Sequence, residues 1–266
     1  MTVPCGTEIY NLDNSQIAAR GLIYTDTELN NALAGSVAEN AFDDRGTDAL
    51  ESLMSSLPET DFEHREIKRI ISVKREPESW RVGEALAESY LTAHRNCTFP
   101  WPNIRDQKKE SSSLPGTDLV GFQIITDRDN RFAFGEVKTS DQKQYPPSVM
   151  YGRHGLKQQL EDLCDSVDTR DSLVIYLGHR TLGSTWKPQF QNAAKRYLSN
   201  HKDFSIFGVM VRDVKPHEDD LRARADKLGS SCTAEMYIEL LAIYLPIDSI
   251  ATLGSRLAAI RKEGDE

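Results

Sequence analysis

The chain has 266 residues, with 41 acidic against 32 basic side chains and a formal net charge of −9. It is 39% apolar and 27% charged, without a run of about 18 apolar residues, so a folded domain with a substantial core is expected and a membrane span is not. Cys5, Cys97, Cys164 and Cys232 form no paired motif, and no basic stretch precedes an apolar one at the N-terminus. A zinc knot, a disulfide framework and a signal peptide are therefore not expected, and a reducing, cytoplasmic setting is.

Charge divides the chain. Residues 1–60 carry ten acidic residues against Arg20 and Arg45, while the remainder holds 31 acidic against 30 basic. Residues 1–60 therefore read as an acidic N-terminal extension or cap, either solvated or a docking surface, and residues 61–266 as the main domain. Within the extension, Thr7–Ile9 and Leu22–Tyr24 suit short strands. Glu28–Phe42 and Thr47–Leu57 suit helices, the latter with Leu50, Leu53, Met54 and Leu57 on one stripe and Pro58 as a stop. Phe62–Val73 suits a strand or a helix, and a strand ending near Val73 is favoured. Trp80–His94 reads as a helix, with Ser79 as its cap and Val82, Leu86 and Tyr90 on one face. Glu84 and Glu88 lie four apart on that helix, beside the apolar stripe.

A proline-, charge- and serine-rich loop follows over residues 95–113. Lys108 and Lys109 in it suit either solvent or a phosphate backbone. The segment Leu114 to Ser140 then predicts a hairpin turning at Asp127-Arg128-Asp129-Asn130, with Phe132–Val137 as the return strand. Asp118 falls near the start of the first strand. Glu136 and Lys138 fall near the end of the second and, two residues apart, point to one face. Two carboxylates and an ammonium thus meet at the open end of a hairpin. Beyond it come a helix over Leu156–Val167, a strand over Ser172–Leu177, a helix over Trp186–Asn200, a strand over Phe204–Val211, a polar helix over residues 217–229, a strand over Ala234–Tyr244 and a last helix over Ile250–Ile260. Alternating helices and strands predict an α/β (α+β) domain with a mixed sheet.

The chemistry of that group suits phosphodiester hydrolysis. Hard divalent ions such as Mg²⁺ take oxygen ligands from one or two carboxylates, and the bound ion activates water and offsets phosphoryl charge. Asp118 and Glu136 are the candidate ligands, the backbone carbonyl of Val137 a third, and Lys138 the group beside the attacking water. The competing interpretation is a solvent-facing Glu136–Lys138 ion pair with Asp118 as a turn residue. The apolar strand around Glu136, with Phe132, Phe134 and Val137, weighs against it, because placing charge there is costly. The histidines lack metal-ligand spacing, and no phosphate-binding glycine loop is present. Lys143, Arg153 and Lys157 are candidate phosphate contacts.

A helical Glu84, then Asp118, then Glu136-Val137-Lys138 resembles the PD-(D/E)xK, or restriction-endonuclease-like, nuclease superfamily. Pro115 does not directly precede the aspartate, a departure from the motif string. The resemblance, over residues 80–180, implies a restriction-endonuclease-like core with a central mixed β-sheet flanked by helices. It implies Asp118, Glu136, Lys138 and Glu84 as the catalytic set, with Glu88 as the alternative helical acid. It also implies Mg²⁺ or Mn²⁺ held by Asp118, Glu136, Val137 and Glu84, and DNA as substrate. Gln158 or Gln159 resembles the glutamine that some branches place near the site and, with Lys143, Arg153 and Lys157, would meet nucleic acid. The acidic extension, Val82-Gly83-Glu84-Ala85-Leu86-Ala87-Glu88, Gly116-Thr117-Asp118 and Gly135-Glu136-Val137-Lys138 are more narrowly similar to HamA, the nuclease-subunit family of the Hachiman anti-phage system. That implies a helicase/ATPase partner (HamB-like) and restrained DNA degradation. A stand-alone repair or restriction nuclease, and an inactive binding or scaffold subunit, are the alternatives.

Overall fold

The computed structural model describes residues 3–14, 17–71, 76–106, 116–126, 129–231, 233 and 235–264. Seven strands form one sheet in the order β1-β2-β7-β6-β5-β4-β3: β1 (Thr7–Asn11), β2 (Ile17–Ile23), β3 (Cys97–Thr98), β4 (Leu119–Thr126), β5 (Asp129–Ser140), β6 (Phe204–Arg212) and β7 (Tyr237–Tyr244). β3 to β5 pair antiparallel; β5, β6, β7 and β2 run parallel; β1 closes the far edge antiparallel to β2. The expected mixed sheet flanked by helices is present. The β5–β6 and β6–β7 pairs are joined by helical crossovers, as consecutive parallel strands require.

Strand alternation sends side chains to two cores. On one face Leu119, Ala133, Val137, Val209 and Ile243 pack under α1 (Asp26–Ala32), α2 (Ala38–Phe42) and α5 (Ser79–His94), together with the C-terminal α10 (Leu253–Gly264). On the other, Val120, Phe122, Phe132, Phe134, Ile206 and Leu240 pack under α6 (Leu156–Asp165), α7 (Val167–Arg180), α8 (Lys187–Ser199) and α9 (Arg222–Ser231). Phe122, Phe132, Phe134 and Phe204 are fully buried, each worth about 1.5–3 kcal/mol of transfer free energy.

Several elements differ from expectation. The stretch expected to be an acidic cap supplies β1 and β2, and β2 pairs with β7 along its length, from Ile17↔Ile238 to Ile23↔Tyr244. Its expected second helix is α3 (Asp44–Met54). Phe62–Val73, read as a strand, is instead the helix α4 (Asp61–Ile71), with Val73 outside the described residues. Its start is set by Thr60 and Glu63, whose side chains cap each other's backbone amides. Ser172–Leu177, read as a strand, lies inside α7; the Ser166 hydroxyl accepts from the Thr169 amide and so starts that helix. Glu78, not Ser79, caps α5, and the Ser79 hydroxyl donates to the Ile250 carbonyl instead. The final helix begins at Leu253 rather than Ile250, and the polar helix at Arg222 after a short 3₁₀ turn over Glu218–Asp220. Lys108, Lys109, Pro115 and the Asp127-Arg128 half of the hairpin turn lie outside the described residues.

Among the described residues, no helix is long and apolar enough to cross a membrane.

Candidate active site at the open end of the hairpin

β5 outruns its neighbour. β4 pairs with β5 as far as Leu119↔Gly135, while β5 continues to Ser140 beside β6. Residues 136–140 thus have a strand on one side and a notch on the other. Asp118 sits at the mouth of that notch, where its Oδ2 accepts the Val137 N–H at 2.8 Å and so extends the ladder by one rung. A strand residue's N–H and C=O point to the same edge, so the Val137 carbonyl faces the notch too. Asn103 fixes this turn from outside, donating to the Thr117 and Asp118 carbonyls at 3.3 and 2.8 Å.

Glu136 and Lys138 follow the alternation of Phe132 and Phe134, onto the face covered by α6 to α8. Lys138 Nζ donates to Glu136 Oε1 at 2.6 Å. Glu136 is 1% exposed, and its Oε2 is buried with no hydrogen-bond partner. The Glu136–Lys138 pair is therefore largely withdrawn from solvent.

Glu84 arrives from the opposite face on α5, which is buried from Arg81 to Leu91. It can reach the cluster because α5 lies very close to β5. A Cβ on Gly83 would stand 2.0 Å from Thr139 Oγ1, an approach only glycine permits. Asp118 lies within hydrogen-bonding reach of both Glu136 and Glu84. Carboxylates from the two faces of the sheet thus meet through the notch. Glu88 is buried elsewhere, among Arg81, Asp43, Arg45 and Arg105; burial pushes it up to about 7, with Arg81 opposing. Of the two helical acids, the structure brings Glu84 to the cluster.

Burial, and then the Asp118 charge, push Glu136 up to about 9 and Glu84 up to about 8. Asp118 is also raised, by burial, against the pull of the Lys138 ammonium and the Val137 amide. Three crowded acids in a dry site cannot all ionise without a compensating cation. The donors are hard oxygens, and the orphaned Glu136 Oε2 is free to ligate, so the residues suit Mg²⁺ or Mn²⁺. Among the described residues, however, no three His, Cys, Asp or Glu side chains are already arranged around one ion position. The fit is to one or two carboxylates plus the Val137 carbonyl, as magnesium sites commonly use.

The expected nucleic-acid contacts are more dispersed. Lys143 and Arg153 are exposed between β5 and α6, and Lys157 is half-buried in the first turn of α6. Gln158 is exposed and donates to Asp162, whereas Gln159 Oε1 is buried and unpartnered. Gln159 adjoins Leu160, which packs over Gly208, the register partner of Glu136.

Two arginines were not singled out from sequence. Arg81 donates to Glu84 Oε2 at 3.2 Å and to the Asn40 carbonyl at 2.8 Å. Its signal was the i,i+3 spacing to Glu84. Arg212, fully buried at the end of β6, donates to the Gln142 and Gln144 carbonyls and pairs with Asp220. It thereby holds the loop that follows Ser140. An arginine ending an apolar strand was the available signal.

Compared with known proteins, the chain matches no family profile and no curated sequence.

Proposed function

We propose that this chain is a metal-dependent nuclease of the PD-(D/E)xK type that hydrolyses phosphodiester bonds of DNA. The observation that carries this reading is the convergence of Asp118, Glu136, Lys138 and Glu84 at the notch where β5 outruns β4. A purely structural charge network would satisfy its members. Here Glu136 keeps a buried oxygen without a partner, and two acids are pushed to about 8 and 9. Costs of that kind cluster at functional sites.

Asp118, Glu136 and the Val137 carbonyl would hold the divalent ion, with Glu84 alongside. When bound, that ion supplies water activation and charge neutralisation at the phosphoryl group. Glu136, held protonated by its burial, would ligate a cation only as the carboxylate, so cation affinity would rise with pH. Lys138, anchored by Glu136, orients the attacking water and donates to a phosphoryl oxygen. Arg81 holds Glu84 in place. Lys143, Arg153 and Lys157, with Gln158 and Gln159, would position the nucleic-acid backbone without reading bases.

The motif strings on α5, before β4 and on β5 support a narrower assignment: the cytoplasmic effector nuclease of a helicase–nuclease anti-phage system, working with a HamB-like helicase/ATPase subunit. A second reading, an inactive nucleic-acid-binding or scaffold subunit, is favoured by one observation. Each acid already has an internal partner: Val137 N–H for Asp118, Lys138 for Glu136 and Arg81 for Glu84.

One assay separates them. The purified full-length chain, with and without its co-purified partner, is incubated with DNA and Mg²⁺ or Mn²⁺. Cleavage is expected to need the metal and to fall by at least about a hundredfold in both Glu136→Ala and Lys138→Ala. Circular dichroism should show both variants folded. Full activity in either would overturn the assigned site.

A further inference from the structure

A cavity of about 520 Å³ lies next to the acid cluster, between the Gly116–Thr117 turn, β4 and one stripe of α7. That volume is in the range of small-ligand sites, about 300–1,000 Å³. Its sides are Val120, Leu173 and Tyr176, and its polar end is Asn103, Asp106 and Arg180. Asn103 is the same residue that bonds the Asp118 carbonyl, so cavity and cluster share a wall. They also share a face of the sheet: Val120 packs on the α6–α8 side, to which Glu136 and Lys138 project. Val120 pairs with Phe134, two residues before Glu136, which puts their Cα atoms about 8 Å apart by strand spacing and rise.

The polar end is a preformed stacking layer. The Arg180 guanidinium lies over the Tyr176 ring, 3.7 Å from its centroid, and 5.5 Å from the Trp101 ring. Asp106 ties all three together, accepting from Arg180 Nη2 at 2.7 Å, the Tyr176 hydroxyl at 2.6 Å and Trp101 Nε1 at 3.2 Å. Arg180 is thus already neutralised and offers little net charge to a free phosphate. What remains is apolar walls beside the stacked Tyr176–Arg180 pair, side chains of the aromatic and guanidinium types on which nucleobases stack.

We infer that this cavity receives a nucleobase of the strand being cut, from a nucleotide whose phosphate lies at Asp118, Glu136 and Lys138. The inference rests on the reading of those residues as a phosphodiester site. It makes the enzyme one that must draw a base out of its stack before cutting, and so favours single-stranded or unpaired substrate.

Calorimetry on the full-length, metal-free chain tests the site without relying on catalysis. Binding of dAMP is expected to be at least about tenfold tighter than that of 2-deoxyribose 5-phosphate, which carries the phosphate without the base. The preference should vanish in Ser172→Trp, which fills the cavity from an exposed lining position, and in Tyr176→Leu, which removes the ring. Equal binding of the two ligands, or binding of neither, overturns the inference. A second arm places one abasic nucleotide at each position of an oligonucleotide in turn and follows Mg²⁺-dependent cleavage. A dip at one fixed distance from the cut, abolished by Ser172→Trp, supports a base of the substrate strand. A flat scan with undiminished, Glu136-dependent cleavage overturns the inference and leaves the nuclease reading standing. Ser172-sensitive dAMP binding in a chain that cuts no nucleic acid keeps the nucleobase site and overturns the nuclease reading.

Discussion

Burying Glu136 beside Asp118 costs stability, and the sign of that cost can be measured. A carboxyl raised to about 9 in the folded chain holds its proton where the unfolded chain has lost it. Between the ordinary carboxyl range and pH 9 the folded state therefore binds more protons, and stability falls as pH rises, by up to about 1.4 kcal/mol per pH unit for each such group. Glu84, raised to about 8, adds to the slope. Glu136→Gln removes one of these protons from the balance. Chemical denaturation should show wild type and Glu136→Gln nearly equal near pH 5, with the variant increasingly the more stable towards pH 9; parallel curves would refute the raised value. These acids were legible in the sequence because strand alternation alone puts Glu136 and Lys138 on one face and Asp118 at the same hairpin end. Arg81 and Arg212 escaped notice because their importance lies in carbonyls far along the chain, at Asn40 and at Gln142 and Gln144.

Among the elements, the contact of α5 with β5 decides whether Glu84 reaches the cluster. Alanine would normally favour a helix over glycine by about 1 kcal/mol. At Gly83 the added Cβ would meet Thr139 Oγ1 at 2.0 Å, and overpacking of this kind costs about 1–3 kcal/mol. The clash wins, so Gly83→Ala should destabilise the chain and depress activity by shifting Glu84. Thr139→Ala removes the clashing oxygen and should restore much of both, giving a coupling energy of about 1 kcal/mol or more in a double-mutant cycle; simple additivity would show the contact to be unimportant. The long buried α5 and the apolar β6 were readable from pattern. α4 and α7 were not. The short apolar run Ser172-Leu173-Val174-Ile175-Tyr176-Leu177 suits either structure, and its deciding cap, Ser166, lies outside it. In α4 the helix is set by the reciprocal cap of Thr60, before the stretch read as a strand, with Glu63 inside it.

For the whole molecule, the pairing that composition concealed is β2 with β7. An acidic, weakly patterned N-terminus gave no sign that Ile17–Ile23 would lie against Ile238–Tyr244, since parallel partners so distant in sequence leave no local trace. A chain beginning at residue 61 would lose β1 and β2, bare one edge of β7, and uncover the core under Leu29, Leu33 and Val37. It should elute as aggregate and show no cooperative thermal transition; a monomer with the wild-type transition would restore the idea of a separable cap. The same pairing bears on how the protein is made. β2 is synthesised well before β7, the strand it must join, with every other element from α1 to α9 made between them. The sheet that braces the acid cluster therefore cannot close until β7 has been made. Interrupted translation would leave fragments with an open sheet edge, in which the strands that brace Asp118, Glu136 and Lys138 are incomplete.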